Sequence, residues 1–334
     1  MQAPTRIAIN GFGRIGRNLF RLLNNNTEID VVAINDLSDA RTLSHLLKYD
    51  SIHGIFKEEV SYDENNIIIN NTPVAFSSYK NPENCNWKEL NIDIVIEATG
   101  KFKTYDLAEK HLLAGAKKVI VSAPPIDNSV KTIVVGVNDE ILKKGDSIIS
   151  NASCTTNNAA PMIQIIQDIC GIEQAYITTV HSYTSDQSLH DQPHNDLRRA
   201  RAAGQSIIPT TTGAAKALTK IFPDLTDVMG GCGIRVPVPN GSLTDITFNV
   251  KKNISIKEIN AAFEKASLTS HKGILAYTED PIVSVDITGN PHSCVFDAHM
   301  TSVIGKMVKV IGWYDNEIGY SSRLIDLIHL FKSI

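Results

Sequence analysis

The first half of the chain alternates short β-branched runs with longer amphipathic segments. An Asn-rich stretch between Gly54 and Phe76 breaks this alternation and predicts an inserted hairpin. Apolar strands that alternate with helices are typical of a parallel sheet covered by helices on both faces. The predicted strands are Arg6–Asn10, Asp30–Asn35, Ile92–Ala98, Lys118–Ser122 and Lys131–Val137, and the predicted helices are Arg14–Leu23, Arg41–Leu47 and Tyr105–Ala114.

The second half has fewer helical patterns and longer gaps between its strands. Its polar segment from Tyr183 to Gly204 lacks periodicity, and loops of this length in compact domains are usually functional. We predict an α/β, Rossmann-type domain over residues 1–153, joined by the C-terminal helix 316–334, and an α+β catalytic domain over residues 154–315 on a mixed or antiparallel sheet. The predicted elements of this half are helices Ala159–Ile169, Ala214–Leu218 and Gly319–Lys332 and strands Ala175–Ser182, Gly233–Val238, Leu243–Val250, Ile282–Asp286 and Lys306–Tyr314.

Composition narrows the class of protein. The 334 residues are 43% hydrophobic and 20% charged, which is ordinary for a globular protein of two domains. The net charge of −4 argues against nonspecific binding to nucleic acid or an anionic membrane. The five cysteines are far apart and form no C-x-x-C pair, so we expect neither a disulfide framework nor a metal site. Without an apolar run of about 20 residues or an N-terminal apolar leader, we expect a cytoplasmic location.

The most specific motif of the first half is G-x-G-x-x-G at Gly11, Gly13 and Gly16. The pattern alone is weak, but here it follows the first predicted strand and opens the first predicted helix. The three glycines then permit a tight turn, close approach of a pyrophosphate and close packing of helix on strand. The pyrophosphate is expected at the N-terminus of the helix.

Asp36 lies 20 residues after Gly16, at the end of the second predicted strand. A carboxylate at this place hydrogen-bonds the adenosine ribose of NAD and repels the 2′-phosphate of NADP. The alternative is a tight strand-to-helix turn in which Asp36 only caps a helix. The register of strand, glycines and carboxylate favours the dinucleotide, with NAD preferred and NADP a minor cofactor.

Cys154 stands among small polar residues in SNASCTTN, just before an apolar helical run. A helix N-terminus favours anions, and a thiol there is expected to have a lowered pKa and to react as the thiolate. A buried cysteine beside a polar turn is the alternative for this residue alone. Combined with a nicotinamide site, the thiol predicts aldehyde oxidation through a covalent thioester.

A nucleophilic thiol requires a base, and His181 is the best-placed histidine because it ends an apolar strand before the long loop. Taken alone, a strand-end histidine is more often a surface or core residue. The run Thr210–Gly213 before a helix indicates either an anion site or a simple threonine cap. Arg198, Arg199, Arg201 and Arg235 suit phosphate, although pattern alone assigns none of them.

Together these motifs resemble the phosphorylating glyceraldehyde-3-phosphate dehydrogenase family. The resemblance covers essentially the whole chain, with the motifs in order and sensibly spaced. It rests on INGFGRIGR from Ile9, SNASCTTN around Cys154, TTVHSYT ending at Thr184, DLRRARAA from Asp196, PTTTGAAKA from Pro209 and WYDNE ending at Glu317.

The resemblance implies a homotetramer that uses NAD to oxidise glyceraldehyde 3-phosphate in the presence of inorganic phosphate. It implies that Cys154 forms the thiohemiacetal and thioester and that His181 activates it, while the loop Tyr183–Gly204 lies at a subunit interface. It further implies an inorganic phosphate site of Ser153, Thr155, Arg199, Thr212 and Gly213, a substrate phosphate site of Thr184, Asp186 and Arg235, and cofactor contacts at Arg14, Ile15, Asp36, Lys80, Ser122 and Asn316.

The chain departs from the family pattern at two places. The family usually carries a second cysteine four residues after the nucleophile, where this chain has Asn158. We therefore expect that oxidised Cys154 cannot form a short-range disulfide. The NAD-preferring pattern often has Leu-Pro in the long loop, where this chain has Gln192-Pro193, so some use of NADP is compatible with the sequence.

Three alternative functions remain at the level of the sequence. Erythrose-4-phosphate dehydrogenase is similar over the whole chain, but it tends to lack the intact threonine–glycine phosphate site that is present here at Thr210–Gly213. A semialdehyde dehydrogenase also pairs a nucleotide fold with a cysteine, and Asp36 counts against it. A non-catalytic binding protein of this fold is disfavoured because every residue that carries chemistry is intact.

Overall fold

The computed structural model describes residues 3–334 and divides them into two compact units. The first unit comprises residues 3–133, 140–152 and 321–334, and the second comprises residues 134–139 and 153–320. Each unit contains its own large sheet.

The first unit has the alternating elements that its sequence pattern predicts. Its helices are α1 (Arg14–Leu23), α2 (Ala40–Lys48), α3 (Tyr105–Ala108) and α4 (Lys110–Leu113). Its strands are β1 (Thr5–Asn10), β2 (Ile29–Asn35), β3 (Tyr49–Asp50), β4 (Gly54–Ile55), β5 (Val60–Tyr62), β6 (Asn66–Ile69), β7 (Thr72–Ser77), β8 (Ile94–Glu97), β9 (Lys118–Val121), β10 (Lys131–Thr132) and β11 (Ile148–Ser150).

Nine of these strands form one sheet in the order β10-β11-β9-β8-β1-β2-β7-β6-β5. The seven strands from β10 to β7 run parallel, and β6 and β5 extend the sheet as an antiparallel meander. The predicted hairpin between Gly54 and Phe76 is therefore confirmed. The strand order reverses between β1 and β8, and in open parallel sheets ligands bind beyond the carboxyl ends of the strands at such a point.

Buried aliphatic residues of the central strands explain the stability of this sheet. Ile7, Ile9, Val95 and Ile120 are fully buried, as expected for strands that are covered on both faces. At the C-terminus, the Lys118 ammonium donates to the carbonyl of Phe331 and lies over its ring. The terminal segment 321–334 thus belongs to the first unit.

One predicted strand of the first half is largely wrong. Only Lys131–Thr132 of the predicted strand Lys131–Val137 pairs with a neighbour. The backbone then turns, because Gly136 adopts a φ of +80° and the Asn138 side chain accepts a hydrogen bond from the Val134 amide at 2.7 Å. An apolar run with a glycine inside it is a poor indicator of a continuous strand.

The second unit is built on a mixed sheet of eight strands, as its sequence predicts. The order along the sheet is β13-β14-β12-β15-β19-β17-β16, with β18 paired to β19. Its strands are β12 (Ile172–Ser182), β13 (Ile208–Thr210), β14 (Met229–Val236), β15 (Ser242–Val250), β16 (Leu275–Thr278), β17 (Cys294–Asp297), β18 (Ser302–Ile304) and β19 (Met307–Tyr314), and its helices are α5 (Cys154–Cys170), α6 (Ala214–Ile221) and α7 (Ile256–Leu268), followed by α8 (Ile318–Lys332), which continues into the first unit.

Helix α5 packs against this sheet along most of its length. Ala159, Met162, Ile163 and Ile166 are buried on it, so its apolar run has the core position that the sequence indicates. Helix α7 packs beside it, and the rings of Phe263 and Phe296 stack 3.8 Å apart. The N-terminus of α5 is thereby held at the edge of a rigid core.

The predicted strand Ile282–Asp286 is also wrong. Residues Ser284–Ile287 form a 3₁₀-helix whose first turn is closed by the Asp286 carboxylate, which accepts from the Val283 amide at 2.8 Å. Val283 and Val285 are exposed, so the alternation of apolar residues does not mark a buried face. Conversely, α7 was not predicted, although Ser255 and Glu258 form a capping box that signals a helix start.

No helix within residues 3–334 is long and apolar enough to cross a membrane.

Candidate active site

The thiol of Cys154 lies at the N-terminus of α5. Ser153 caps this helix, and its Oγ atom accepts a hydrogen bond from the Thr156 amide at 3.1 Å. The preceding residue Ala152 has a φ of 55°, a left-handed conformation that is uncommon for alanine and frequent at functional sites. The thiol therefore lies at the start of a helix, as the sequence predicts.

His181 ends strand β12 and faces this thiol. Its Nε2 atom lies 3.4 Å from the Sγ atom of Cys154. The neighbouring parallel strand β14 places Arg235 in register with His181. Three residues that are far apart in the sequence are thus brought together by α5, β12 and β14.

The surroundings of the other ring nitrogen determine which atom can accept a proton. His181 Nδ1 lies 2.7 Å from the Ser182 carbonyl oxygen and 2.7 Å from Nη1 of Arg235, which also donates to that carbonyl at 3.0 Å. The guanidinium can only donate and therefore favours an unprotonated Nδ1, whereas the carbonyl can only accept and favours a protonated Nδ1. When Nδ1 carries the proton and donates to the carbonyl, Nε2 presents its lone pair to the thiol. This tautomer makes His181 a proton acceptor for Cys154.

Burial is the largest influence on both titrating groups. It lowers the pKa of His181 to about 3, and the positive charge of Arg235 acts in the same direction. Burial raises the pKa of the Cys154 thiol, while Arg235 and hydrogen bonds from Thr155 oppose the rise. The prediction of a lowered thiol pKa is therefore wrong for this structure, because the effect of burial outweighs that of the helix N-terminus. The neutral thiol paired with the neutral imidazole is the favoured state.

Tyr314 was not singled out from the sequence, although it organises this site. Its hydroxyl lies 2.9 Å from Oγ1 of Thr155 and 3.0 Å from Oγ1 of Thr179, and its ring packs edge-on against His181 with centroids 5.9 Å apart. Thr155 follows Cys154 in the chain, and Thr179 precedes His181 by two residues. Tyr314 thus ties together the segments that carry the thiol and the imidazole.

The side-chain amide of Asn316 is held in place through its oxygen atom. Its Oδ1 atom accepts hydrogen bonds from the hydroxyls of Ser182 and Ser242, each at 2.9 Å. Its Nδ2 atom donates to nothing within residues 3–334, so a directed donor remains for a ligand. A carboxamide held in this way suits recognition of another carboxamide.

The groups predicted to bind phosphate form a connected cluster. Arg199 pairs with Asp186 at 2.7 Å and donates to the Thr210 hydroxyl at 3.0 Å, and the Thr184 hydroxyl also donates to Asp186. Burial raises the pKa of Asp186, but the hydrogen bond from Thr184 and the charges of Arg235 and Arg199 prevail. The pKa of this carboxyl group is therefore lowered. The structure therefore brings Thr184, Asp186, Arg199 and Arg235 into one electrostatic environment.

The remaining predicted phosphate ligands have partners within the protein. Gly213 is the N-cap of α6, and the Thr212 hydroxyl accepts from the Ala214 amide at 3.2 Å. The Ser153 hydroxyl caps α5, and the Thr155 hydroxyl bonds to Tyr314. Among residues 3–334, no group of three or more histidine, cysteine or acidic side chains is arranged to hold a metal ion.

The glycine motif of the first unit forms a tight cradle between β1 and α1. Gly11 has a φ of +96°, and a Cβ atom on it would lie 2.7 Å from the Thr99 amide nitrogen. A Cβ atom on Gly16 would lie 2.4 Å from the Gly11 carbonyl oxygen. Gly13 is the N-cap of α1 and has open space around it, so the helix terminus is accessible to a phosphate group. These residues fit a dinucleotide.

Other predicted cofactor residues lie around this cradle. The Asp36 carboxylate accepts from the Phe12 amide at 2.7 Å and the Ser38 amide at 2.9 Å, which fixes it beside the glycine loop. Arg14 is held by Asp50 at 2.6 Å, and Ile15 follows it in the first turn of α1. The buried Ser122 hydroxyl has no hydrogen-bond partner among residues 3–334, so it is free to bond to a dinucleotide. Lys80 is exposed.

Comparison with known protein families agrees with both units. The model described as "Glyceraldehyde 3-phosphate dehydrogenase, NAD binding domain" matches residues 5–105. The model described as "Glyceraldehyde 3-phosphate dehydrogenase, C-terminal domain" matches residues 153–316.

Curated relatives match along nearly the whole chain. Glyceraldehyde-3-phosphate dehydrogenase of Geobacillus stearothermophilus is 52% identical over 324 residues, which are 96% of each chain. The protein of the same name from Streptomyces coelicolor is 53% identical over 326 residues, 96% of this chain and 97% of its own length. Glyceraldehyde-3-phosphate dehydrogenase 1 of Bacillus subtilis is 50% identical over 324 residues, 96% of each chain. The chain therefore belongs to the glyceraldehyde-3-phosphate dehydrogenase family.

Proposed function

We propose that this protein catalyses the phosphorylating oxidation of glyceraldehyde 3-phosphate to 1,3-bisphosphoglycerate with NAD. The observation that carries the proposal is the 3.4 Å approach of His181 Nε2 to Cys154 Sγ at the start of α5, beside the Arg235 guanidinium. A thiol, a proton acceptor and an anion-binding cation are the groups that acyl transfer from a phosphorylated aldehyde requires.

In the first step, Cys154 Sγ attacks the aldehyde carbon as its proton passes to His181 Nε2. The carbonyl electron pair moves to oxygen, and His181 returns the proton there, which gives the thiohemiacetal. Burial, which lowers the pKa of His181, favours return of the proton from the imidazole to the substrate oxygen. Attack is favourable at this position because the N-terminus of α5 stabilises developing negative charge.

In the second step, the thiohemiacetal becomes a thioester on Cys154. The bound dinucleotide supplies the acceptor for the hydride that leaves the substrate carbon. His181 Nε2 takes the hydroxyl proton at the same time. Asn316, whose Oδ1 atom is fixed by Ser182 and Ser242, would hold the carboxamide of the cofactor through its Nδ2 atom.

In the third step, inorganic phosphate attacks the thioester carbon. The carbon–sulfur bond breaks and 1,3-bisphosphoglycerate leaves. The released thiolate of Cys154 takes the proton that His181 Nε2 received in the second step, which restores the neutral pair, and the proton of the attacking hydrogen phosphate passes to solvent. We assign the inorganic phosphate to Ser153, Thr155, Arg199, Thr212 and Gly213 and the substrate phosphate to Thr184, Asp186 and Arg235. The ion pair between Arg199 and Asp186 supports a site in which the two phosphates adjoin.

NAD is the proposed cofactor, with NADP as a minor one. A carboxylate at Asp36 that is fixed by two backbone amides suits a ribose diol and opposes a 2′-phosphate. The glycine cradle and the unpartnered Ser122 hydroxyl support a dinucleotide in general.

A homotetramer in the cytoplasm, acting in glycolysis or gluconeogenesis, completes the proposal. Exposed apolar side chains on the second unit support an assembly where they adjoin one another, because a contiguous apolar patch marks an interaction surface, and Tyr176 and Met307 line the same surface pocket. Three of them, Tyr176, Ile207 and Met307, are 54%, 70% and 43% exposed, and the loop predicted to lie at an interface adds Leu189 and Leu197.

Initial rates of reduced cofactor formation test this proposal. We expect a rate with glyceraldehyde 3-phosphate and NAD that depends on inorganic phosphate. A rate that is independent of phosphate, with erythrose 4-phosphate as the better substrate, would instead identify an erythrose-4-phosphate dehydrogenase. Loss of turnover on substitution of Cys154 with serine, with NAD binding retained, is expected in the same assay.

A further inference from the structure

A chain of buried polar side chains crosses the carboxyl ends of neighbouring strands in the first unit. Asn10 ends β1, Asn35 ends β2 and Glu97 ends β8, and none of them is more than 3% exposed. Asn35 Nδ2 donates to Asn10 Oδ1 at 2.7 Å, and Asn10 Nδ2 donates to Glu97 Oε2 at 2.5 Å. The proton transfers proposed above do not use this network.

One end of the network is oriented by an indole. Trp87 Nε1 can only donate, and it lies 3.1 Å from His111 Nδ1, so that ring nitrogen is the acceptor. The proton of the neutral imidazole is then on Nε2, which lies 3.1 Å from Glu97 Oε2. His111 therefore donates to Glu97 from this side.

The other end is oriented by a backbone amide. The Tyr79 N–H donates to Asn35 Oδ1 at 2.8 Å, and the Ser77 hydroxyl donates to the same oxygen at 2.9 Å. The amide nitrogen of Asn35 must therefore face Asn10, and Asn10 in turn must present its own nitrogen to Glu97. Obligate donors thus fix the direction of every hydrogen bond, and both ends point to Glu97.

Glu97 accepts from all of its partners. Oε2 accepts from Asn10 and His111, while Oε1 accepts from the amide nitrogen of Thr99 at 2.8 Å and from its hydroxyl. Only an ionised carboxylate offers enough acceptor sites for four donors. A buried carboxylate in such a network fixes the positions of its partners, because any movement that left one buried polar group without a hydrogen bond would cost free energy.

This network holds the glycine loop from two sides. The peptide between Ala98 and Thr99, whose N–H is bound by Glu97, packs directly on the Cα atom of Gly11. On the other side, the Gly11 amide donates to the carbonyl of Asn35 at 2.8 Å. The turn at Gly11 is therefore set by the two strand ends that the network joins.

We propose that Glu97 is a positioning residue for the dinucleotide, which fixes the Gly11–Gly16 loop in the shape that receives the pyrophosphate. It touches no reacting atom in this account and acts through Asn10 and Thr99. The inference rests on the proposed binding of a dinucleotide to the first unit, and it adds a buried anion to the groups that determine affinity.

Glu97→Gln is the most direct test, because it preserves shape and changes only the pattern of donors and acceptors. An amide has one oxygen, so its NH₂ group must face either Asn10 and His111 or the Thr99 amide, all of which are donors. We expect the dissociation constants of both NAD and ADP-ribose to rise about tenfold by calorimetry on the full-length protein, equal to about 1.4 kcal/mol. The exposed Glu89→Gln in the same unit is the matched control and should change neither value.

A kinetic measurement separates positioning from general destabilisation. The KM for NAD should rise about tenfold in Glu97→Gln while kcat changes less than threefold. A variant that melts at a lower temperature but binds NAD and ADP-ribose with unchanged affinity would overturn the inference. Absence of NAD binding in the unsubstituted protein would instead refute the proposed function.

A second variant tests the direction of the hydrogen bonds in the network. In Asn35→Asp, a carboxylate lies on each side of Asn10, so Asn10 can donate to residue 35 only by turning its own oxygen toward Glu97. In the double variant with Glu97→Gln, the turned Asn10 accepts from the new amide. We expect the double variant to bind NAD at least threefold better than the product of the single effects predicts. Strictly multiplicative effects would show that the two residues act independently and would overturn the inference.

Discussion

The Nε2 atom of His181 lies 3.4 Å from the Sγ atom of Cys154, and the positive charge of Arg235 lies beside both groups. This relationship makes the imidazole the nearest proton acceptor for a thiol whose own ionisation is opposed by burial. The reactivity of Cys154 should therefore depend on His181.

Substitution of His181 with asparagine should slow turnover about 10²- to 10⁴-fold, the range expected for loss of a general base. It should also slow the alkylation of Cys154 by iodoacetamide at every pH at which His181 is neutral, because the thiol loses the base that takes its proton. Mass spectrometry at a series of pH values measures this directly. The exposed His190→Asn serves as control, and a profile shared by all three proteins would refute the role of His181.

Asp50, which holds Arg14 beside the glycine loop, should make stability depend on pH. Burial raises the pKa of Asp50, but hydrogen bonds from the His53 amide, the Arg14 side chain and the Ile52 amide prevail and lower it from 3.8 to about 2. A lowered pKa stabilises the folded protein above pH 3.8, and this contribution is lost as the pH falls towards 2. It amounts to about 2 kcal/mol at pH 7.

Urea unfolding of the unsubstituted protein and of Asp50→Asn checks this prediction. The difference in unfolding free energy should be constant at pH 7 and 5 and clearly smaller at pH 3. Asp30→Asn, which removes an exposed pairing with Arg6 at 3.9 Å, should have little effect at any of these values. An Asp50→Asn difference that is as large at pH 3 as at pH 7 would contradict the account.

Asn158 should leave oxidised Cys154 without a local thiol partner. The Asn158 side chain is buried and donates to the carbonyls of Ser293 and Trp313 at 3.1 and 3.3 Å, one helical turn after Cys154. After peroxide treatment, peptide mapping should find Cys154 as sulfenic acid or higher oxides rather than in an intramolecular disulfide. Asn158→Cys should allow that disulfide and lower the free energy of unfolding. A Cys154 disulfide in the unsubstituted protein would contradict the prediction.

Asp36 should determine the choice between NAD and NADP. We expect the catalytic efficiency with NAD to exceed that with NADP by about 100-fold or more, since a charged clash of about 3 kcal/mol corresponds to that ratio. Asp36→Asn should lower the ratio of the two catalytic efficiencies, because it weakens the binding of NAD and removes the charge that repels the 2′-phosphate of NADP. The exposed Asp39→Asn in the same loop should preserve it. A preference of the unsubstituted protein for NADP would show that the loop around Gln192 prevails over Asp36.

The parts of the site that could be predicted from sequence are those in which chemistry demands one residue type at one spacing. Gly11 and Gly16 belong to this class, because a Cβ atom at either position would collide with backbone atoms. Asp36 lies beside the glycine loop as its spacing predicts, and its contact with a ribose stays a prediction. Cys154 could be placed at a helix start because the apolar run after it is long. The fold of the first unit followed from the alternation of apolar strands and helices, and the mixed sheet of the second unit followed from strands with few helices between them.

The residues that sequence reasoning missed depend on contacts between distant segments. Tyr314 looks like any aromatic residue at the end of an apolar strand, and only the fold brings its hydroxyl to Thr155 and Thr179. Glu97 is likewise an acid after an apolar run, and its partners Asn10 and His111 come from other elements. The raised thiol pKa was missed because burial is a property of the packed site rather than of SNASCTTN.

The central claim is that a thioester on Cys154 links oxidation to phosphate transfer. A rapid-mixing experiment with glyceraldehyde 3-phosphate and NAD, but without inorganic phosphate, tests it most directly. The account predicts a burst of NADH of about one equivalent per active subunit, a matching acyl adduct on the Cys154 peptide, and sustained turnover only after phosphate is added. Sustained turnover without phosphate, or a burst that survives Cys154→Ser, would contradict it.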